Sequence, residues 1–185
     1  MAYLHGDIQP SHFTYEAIEV GNETQLKHQI VQEDVTAFAE LTGDFNPVHM
    51  DPDFAKQTTF GKPVVHGMLT SSFISTMIGM LIPGPGSLWT SQTLEFLSPT
   101  YVGDEITVTA RVNRKSPATR MLLLEVTITN QHGHKLVVGD SKVRMMEQED
   151  QTESQPMVAV SFVSDVESNG QANSRSIGDQ KVILV

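Results

Sequence analysis

The spacing of hydrophobic positions changes along this chain, from helical in the first half to alternating in the second. Residues 33–41 carry apolar side chains three and four positions apart, which predicts a short helix that ends at Gly43 and the pair Asn46-Pro47. Asp51-Pro52 has the form of a helix N-cap followed by a proline at the first helical position. It therefore predicts a second short helix.

A third and longer helix is predicted over residues 67–82. This segment has no charged residue and is apolar on more than one face, which is typical of a buried helix. The sequence Pro83-Gly84-Pro85-Gly86 ends it, because neither residue type continues a helix well.

Four β-rich runs follow, separated by turn residues such as Gly103-Asp104 and His132-Gly133. They span residues 89–97, 105–114, 121–130 and 135–146. One buried helix followed by an antiparallel meander predicts an α+β fold in which the helix packs against the sheet.

Composition and charge exclude several classes of protein. A net charge of −10 argues against a nucleic-acid partner, because phosphate backbones are bound by clustered Lys and Arg. No window of 18 apolar residues predicts a membrane span, and the first ten residues lack the features of a secretory signal. Cysteine is absent, which excludes disulfides and thiolate catalysis. A cytoplasmic location is expected.

The end of the chain differs in composition from the rest. Residues 147–185 hold seven acidic and two basic residues, so this segment carries −5 of the net charge, and it is rich in Gln, Ser and Asn. Such a composition buries too little apolar surface to offset the entropy of ordering. We predict a domain over residues 1–146, an acidic polar linker or tail over 147–180, and a separate short apolar β-run over 181–185.

The stretch Thr42–Asp51 holds the first candidate chemistry. Asp44 and His49 stand five residues apart on a turn braced by Pro47, where a carboxylate and an imidazole can converge on one water molecule. A structural role is open as well, since Asp44 and Asn46 are common turn residues and His49 can be a half-buried packing residue. Spacing alone does not decide between these interpretations.

The stretch Pro63–Met68 holds the second group of candidate catalytic residues. His66-Gly67 falls where the long helix begins, and the unsatisfied backbone N–H groups of a helix start can bind a developing oxyanion. The alternative is that Gly67 allows close packing while His66 caps or packs the helix.

Together the two stretches resemble the MaoC-like hydratase family, the (R)-specific enoyl-thioester hydratases of the hotdog fold. Thr42–Asp51 matches the family pattern Ser/Thr-Gly-Asp-x-Asn-Pro-hydrophobic-His-x-Asp, and Pro63–Met68 matches Pro-hydrophobic-hydrophobic-His-Gly-Met/Leu. Residues 18–21 and 102–105 extend the resemblance, which covers about residues 14–146.

The resemblance implies a hotdog fold, an antiparallel sheet wrapped around a central buried helix. It further implies that Asp44 and His49 hold and activate a water, and that Gly67 offers its N–H to a thioester carbonyl. It also implies four substrate-binding residues, Asn46, His66, Met68 and Ser75. Of these, Ser75 would line the acyl pocket, Asn46 would shape the loop, and His66 would have a structural role.

No metal and no cofactor is expected. His5, His12 and His28 lack the spacing of metal ligands, and His132 and His134 fall in a predicted hairpin turn.

The expected reaction is reversible hydration of a trans-2-enoyl thioester of coenzyme A or acyl carrier protein to the (3R)-3-hydroxyacyl thioester. A homodimer is the expected assembly. The cations available to coenzyme A phosphates are Lys56, Lys62, Arg111, Arg114, Lys115 and Arg120. Two alternatives stay open: a hotdog acyl thioesterase, and a non-catalytic dimerisation or binding module of a larger fusion.

The terminal run 179–185 resembles the first strand of short-chain dehydrogenase/reductase domains, although the glycine-rich phosphate loop that would follow such a strand is absent. A fused C-terminal reductase domain is therefore one hypothesis. The other is a terminal strand that adds to a sheet edge.

Overall fold

The structure is a computed structural model, and it describes residues 8–146. The predicted linker 147–180, the terminal run 181–185 and His5 lie outside the described residues.

Four α-helices occur in the described part of the chain, all before the main strands. They are α1 (Gln32–Thr42), α2 (Pro47–Met50), α3 (Pro52–Lys56) and α4 (Gly67–Thr76), and α4 continues into a π-helical segment, Met77–Leu81. The predicted helix ends are observed for two of them. Gly43 ends α1 with φ 77°, a left-handed conformation that glycine adopts readily, and Asp51 caps α3 by accepting from the N–H groups of Asp53 and Phe54.

A six-stranded antiparallel sheet makes up the rest of the described fold. Its strands are β1 (Glu23–Gln29), β2 (Ser87–Gln92), β3 (Glu95–Phe96), β4 (Glu105–Ser116), β5 (Met121–Thr129) and β6 (Lys135–Met145). Their order is β1-β4-β5-β6-β2, and β3 pairs with β6 beside β2. The three long strands β4, β5 and β6 form the predicted meander.

One face of this sheet forms the core. Ile106, Val108, Ala110 and Val112 of β4 are fully buried, as are the alternate residues Leu122, Leu124, Val126 and Ile128 of β5. They belong to one hydrophobic cluster with Leu69, Ile74 and Met77 from the long helix. The α+β class, with a helix packed on an antiparallel sheet, is thus confirmed.

The long helix differs from its prediction in two respects. It changes to π-helical geometry at Met77 instead of running uniformly to Ile82. Its burial is also one-sided, since Met68, Ser72, Ser75 and Gly79 are exposed in the single chain. The uncharged segment, apolar on more than one face, predicts a buried helix, but small polar residues and methionine leave a helix face that a single sheet does not cover.

Three further elements differ from the sequence interpretation. β1 was not predicted, because only Leu26 of its seven residues is buried and the alternation is weak. The sequence predicts a turn around Pro47, whereas Asn46 and Pro47 begin the short helix α2 there. The single run predicted over 89–97 is divided into β2 and β3 at Thr93, whose carbonyl passes directly against Gly139 of β6.

Among residues 8–146, no helix has the length and apolar character needed to cross a membrane.

Candidate active site

The loop between α1 and α2 carries Asp44. After Gly43 turns the chain, Asp44 is exposed, and its hydrogen bonds within the loop are long: its N–H donates to Thr42 Oγ1 at 3.3 Å, and its Oδ1 accepts from Asn46 N–H at 3.3 Å. Asn46 then caps α2 by accepting from the N–H of Val48 at 3.2 Å. This cap and Pro47 fix the start of α2, which carries His49.

His49 is held by the second sequence motif. Its Nδ1 lies 2.7 Å from the carbonyl oxygen of Val64. A carbonyl only accepts hydrogen bonds, so Nδ1 carries a proton, and in the neutral ring Nε2 has the lone pair. Nε2 is therefore the nitrogen of His49 that can take a proton from water.

His66 comes from the other motif and is almost fully buried, 2% exposed. Its Nε2 lies 2.9 Å from the backbone carbonyl oxygen of Asp44, and its ring centroid is 4.0 Å from that of His49. The two motifs thus meet through two histidine–carbonyl hydrogen bonds, which join residues 15 and 22 positions apart in sequence.

A carboxylate oxygen of Asp44 and one ring nitrogen each of His49 and His66 all lie within 4.8 Å of one another. Two hydrogen bonds of about 2.8 Å each span up to about 5.6 Å, so one water molecule can contact both the carboxylate and an imidazole. The same three groups are the set that a divalent metal could use within the described residues, since nitrogen and carboxylate ligands suit Zn²⁺. One nitrogen of each ring is already hydrogen-bonded to a carbonyl, and of the two remaining nitrogens that of His66, Nδ1, is buried.

Gly67 is the first residue of α4, directly after its N-cap His66. The N–H groups of a first helical turn have no partner within the helix and lie at the positive end of its dipole. A Cβ atom at Gly67 would lie 2.8 Å from Cε1 of Phe96. A side chain here would therefore displace the Phe96 ring, so glycine permits the close approach.

A cavity of about 390 Å³ opens beside Gly67. It is lined by Val48, His49, Phe60, Val64, Val65, Gly67, Thr70, Phe96, Leu97, Ser98, Pro99, Thr100 and Val137. Its lining is largely apolar, with the polar side chains of His49, Thr70, Ser98 and Thr100, which is the usual composition of a site for a small organic ligand.

The predicted site residues fall into two groups. Asp44, His49, His66 and Gly67 come together, and Asn46 caps the adjoining helix. Met68 and Ser75 do not join them: both are exposed on α4 and neither lines the cavity of the single chain. Eight positions along a helix correspond to about 12 Å, which takes Ser75 far beyond the helix start where the cavity lies.

Two groups that the sequence interpretation missed occupy the cavity wall. Thr70, one turn after Gly67, is the polar helix residue that lines the cavity, and its Oγ1 lies 3.1 Å from Thr100 Oγ1. The helical spacing of three from Gly67 could have indicated it. Phe96 reaches the cavity because β3 pairs Phe96 with Val137, a register that no local pattern specifies.

The remaining histidines that the structure describes do not gather into a second site. His28 pairs with Asp34 through Nε2 at 2.8 Å and stacks on Phe73, while His132 and His134 lie exposed in the β5–β6 turn. Within residues 8–146, the cluster of Asp44, His49 and His66 is the group whose ligand atoms converge as a metal site requires.

An antiparallel sheet packed against one long helix, with a cavity and converging polar side chains at the start of that helix, is the architecture of a hotdog-fold enzyme. The family model described as "MaoC like domain" matches residues 14–133, and the chain belongs to that family. Its similarity to the (R)-specific enoyl-CoA hydratase of Aeromonas caviae is 38% identity over 130 residues, covering 70% of this chain and 97% of that protein. With the 3-hydroxybutyryl-CoA dehydratase of Methylorubrum extorquens it shares 38% identity over 137 residues, 74% of this chain and 86% of the relative.

Solved structures agree. The (R)-hydratase structure from A. caviae superimposes with a TM-score of 0.69 at 38% identity, covering 71% of this chain and 99% of that one. The R-hydratase PhaJ1 from Pseudomonas aeruginosa gives the same TM-score at 33% identity, covering 78% and 94%. The predicted family and hotdog fold are therefore confirmed.

Proposed function

We propose that this protein catalyses the reversible (R)-specific hydration of trans-2-enoyl thioesters to (3R)-3-hydroxyacyl thioesters, as a hydro-lyase. The observation that carries the proposal is the convergence of Asp44 and His49 beside a cavity that begins at the N-terminal residue of α4. The names of its relatives, a hydratase and a dehydratase of coenzyme A thioesters, support the same reaction in its two directions.

In the hydration direction, a water molecule lies between the Asp44 carboxylate and His49 Nε2. It loses a proton to this pair as its oxygen bonds to Cβ of the enoyl thioester. The π electrons of the double bond move toward the thioester carbonyl, and a proton returns to Cα from the same pair. Water is thus added across the double bond, and no oxidant or reductant is needed. His49 suits the proton transfer because the lone pair of its Nε2 can accept the proton from water and return it.

Negative charge develops on the thioester oxygen during the addition. The Gly67 N–H, at the positive end of α4, is the proposed donor to that oxygen. Loss of one such donor in a well-studied hydrolase costs about 3–4 kcal/mol, so this contact would supply a substantial part of the rate.

The acyl chain is proposed to occupy the apolar cavity, and the carrier to remain outside it. The lining residues Phe60, Val65, Phe96, Leu97 and Val137 provide the apolar surface that an acyl chain requires. Lys62, whose Nζ lies 4.0 Å from the centroid of Tyr101, is an exposed cation between the lining residues Phe60 and Val64.

We further propose an isologous homodimer in the cytoplasm, with the domain boundary near Met146. Edge strand β2 and the adjoining β3 carry the exposed apolar side chains of Leu88, Trp89 and Phe96, and α4 exposes Met68. Exposed apolar side chains along a sheet edge favour pairing with a second copy. Burial there would bring Met68 and Ser75 against the partner. A fused reductase domain stays a prediction from the terminal residues.

The decisive experiment is a hydration assay of the full chain with crotonyl-CoA and longer enoyl-CoAs. We expect loss of the absorbance of the conjugated thioester without release of free thiol, and a (3R) product on chiral analysis. Release of thiol from a saturated acyl-CoA would favour the thioesterase instead. No turnover of any thioester by folded protein would favour a binding module.

A further inference from the structure

The buried ring of His66 contacts two aromatic rings and one backbone carbonyl. The ring packs against His49 at a centroid distance of 4.0 Å and against Phe38 at 5.1 Å, and its Nε2 lies 2.9 Å from the Asp44 carbonyl oxygen. Its Nδ1 is buried and has no hydrogen-bond partner among the described residues. A buried ring held this closely has little freedom to rotate.

These contacts specify the tautomer. The Asp44 carbonyl oxygen accepts only, so His66 Nε2 must carry the proton. Nδ1 then has a lone pair and no hydrogen. This assignment agrees with its lack of an acceptor, because a buried N–H without an acceptor is the less common situation.

The bond matters because Asp44 is otherwise weakly held. Its two hydrogen bonds within the loop are both 3.3 Å long and solvent-exposed. The bond from His66 is shorter and comes from a buried side chain on the residue that caps α4. Through it, the backbone of Asp44 is tied to the position immediately before Gly67.

We infer that His66 is a positioning residue, whose Nε2–H fixes Asp44 so that the carboxylate faces His49 and the substrate held at Gly67. The inference rests on the proposed function, since it concerns the same reaction. His66 itself transfers no proton in this account, because its Nε2 proton is engaged by a backbone carbonyl and its Nδ1 is enclosed.

A pair of amide variants tests it. The amide nitrogen of glutamine extends about as far as histidine Nε2, whereas that of asparagine extends about as far as Nδ1 and stops short of the Asp44 carbonyl. We expect H66N to lower kcat about 100-fold, the scale of a small misplacement of a catalytic group, with KM changed less than about threefold. H66Q is expected to recover most of the loss, to within about tenfold of the wild type.

Equal activity of H66Q and H66N, whether near wild type or equally reduced, would overturn the inference, because the Nε2 donor would then be irrelevant. A change confined to KM would overturn it as well. If neither variant folds, the tautomer of His66 in the wild-type protein tests the inference. Nitrogen chemical shifts should identify His66 as the Nε2–H tautomer, and an Nδ1–H tautomer would contradict the bond on which the inference depends.

Different results would refute the proposed function and the positioning role of His66. A wild-type protein without hydratase activity, or an Asp44→Asn variant with full activity, removes the reaction while leaving the tautomer measurement valid. If the wild type is active, Asp44→Asn is inactive and H66N is fully active, the results support the reaction and refute only the role of His66.

Discussion

His49 Nδ1 lies 2.7 Å from the carbonyl oxygen of Val64. This hydrogen bond joins α2 to the segment that leads into α4, and Val64 N–H in turn donates to the Val48 carbonyl at 3.2 Å. The imidazole is thereby oriented by a rigid backbone, and its remaining nitrogen is the one available for proton transfer. The relationship between these residues makes the site pre-organised before any substrate arrives.

The first prediction concerns the proposed water-binding pair. Asp44→Asn and His49→Ala should each lower kcat for crotonyl-CoA hydration by at least about 100-fold, because each removes a group that handles the proton. The absorbance of the conjugated thioester gives the rate. Asp53→Asn is the matched control, since Asp53 is an exposed acid on the neighbouring α3 and its substitution should leave kcat unchanged. Near wild-type rates in either site variant would refute the assigned roles.

The second prediction concerns the space beside Gly67. In Gly67→Ala the N–H is retained, but the new methyl group would lie 2.8 to 3.3 Å from three ring atoms of Phe96. Because Phe96 is half exposed and can swing aside, we expect a folded protein whose kcat/KM is reduced about tenfold or more by the altered cavity wall. Adding Phe96→Ala should recover part of this loss. An unchanged kcat/KM in the single variant would show that the close approach is dispensable.

The third prediction concerns stability at the junction of β2 and β3. A Cβ atom at Gly139 would overlap the backbone carbonyl of Thr93, which cannot move without breaking the Thr93 N–H to Asp140 carbonyl bond of 2.9 Å. Gly139→Ala should lower the free energy of unfolding by about 1–3 kcal/mol in urea titration. Gly79→Ala is the control: nothing lies within 4 Å of its added methyl, so stability should be unchanged or slightly higher. Equal stabilities of the two variants would contradict the crowding argument.

The fourth prediction concerns pH. Burial of Tyr15 raises its pKa above the ordinary value of 10.0, with the Glu16 carboxylate adding to this effect and the Arg120 guanidinium opposing it. The folded state therefore holds the phenolic proton more tightly than the unfolded state. This contribution to stability is complete below pH 10 and is lost as pH rises through the folded-state pKa.

The Tyr15→Phe variant isolates this effect. At pH 7 its free energy of unfolding should lie within about 1 kcal/mol of the wild type, because the hydroxyl removed is buried and without a hydrogen-bond partner among the described residues. Above pH 10 the wild type should lose stability relative to the variant, by at most about 1.4 kcal/mol per pH unit. Parallel curves across the alkaline range would contradict the raised pKa.

Local sequence determined a good part of this fold. Gly43 and Asp51 set a helix end and a helix start through backbone conformation and capping, which depend on neighbouring residues alone. The alternating pattern in the second half of the chain predicted strands at β4 and β5, and the structure buries their alternate side chains in the core. The sequence does not predict β1, because an edge strand with one buried residue lacks the alternation of apolar and polar residues.

The sequence by itself determined the functional groups of the site. They are a carboxylate, two imidazoles and a glycine at a helix start, in motifs specific enough to indicate the family. Tertiary structure alone decided which nitrogen of each ring is committed, because the Val64 and Asp44 carbonyls are brought to the rings by chain segments distant in sequence. It also decided that Thr70 and Phe96 line the cavity and that Ser75 does not. Strand register and the direction of a helix face are long-range packing outcomes, and no local pattern encodes them.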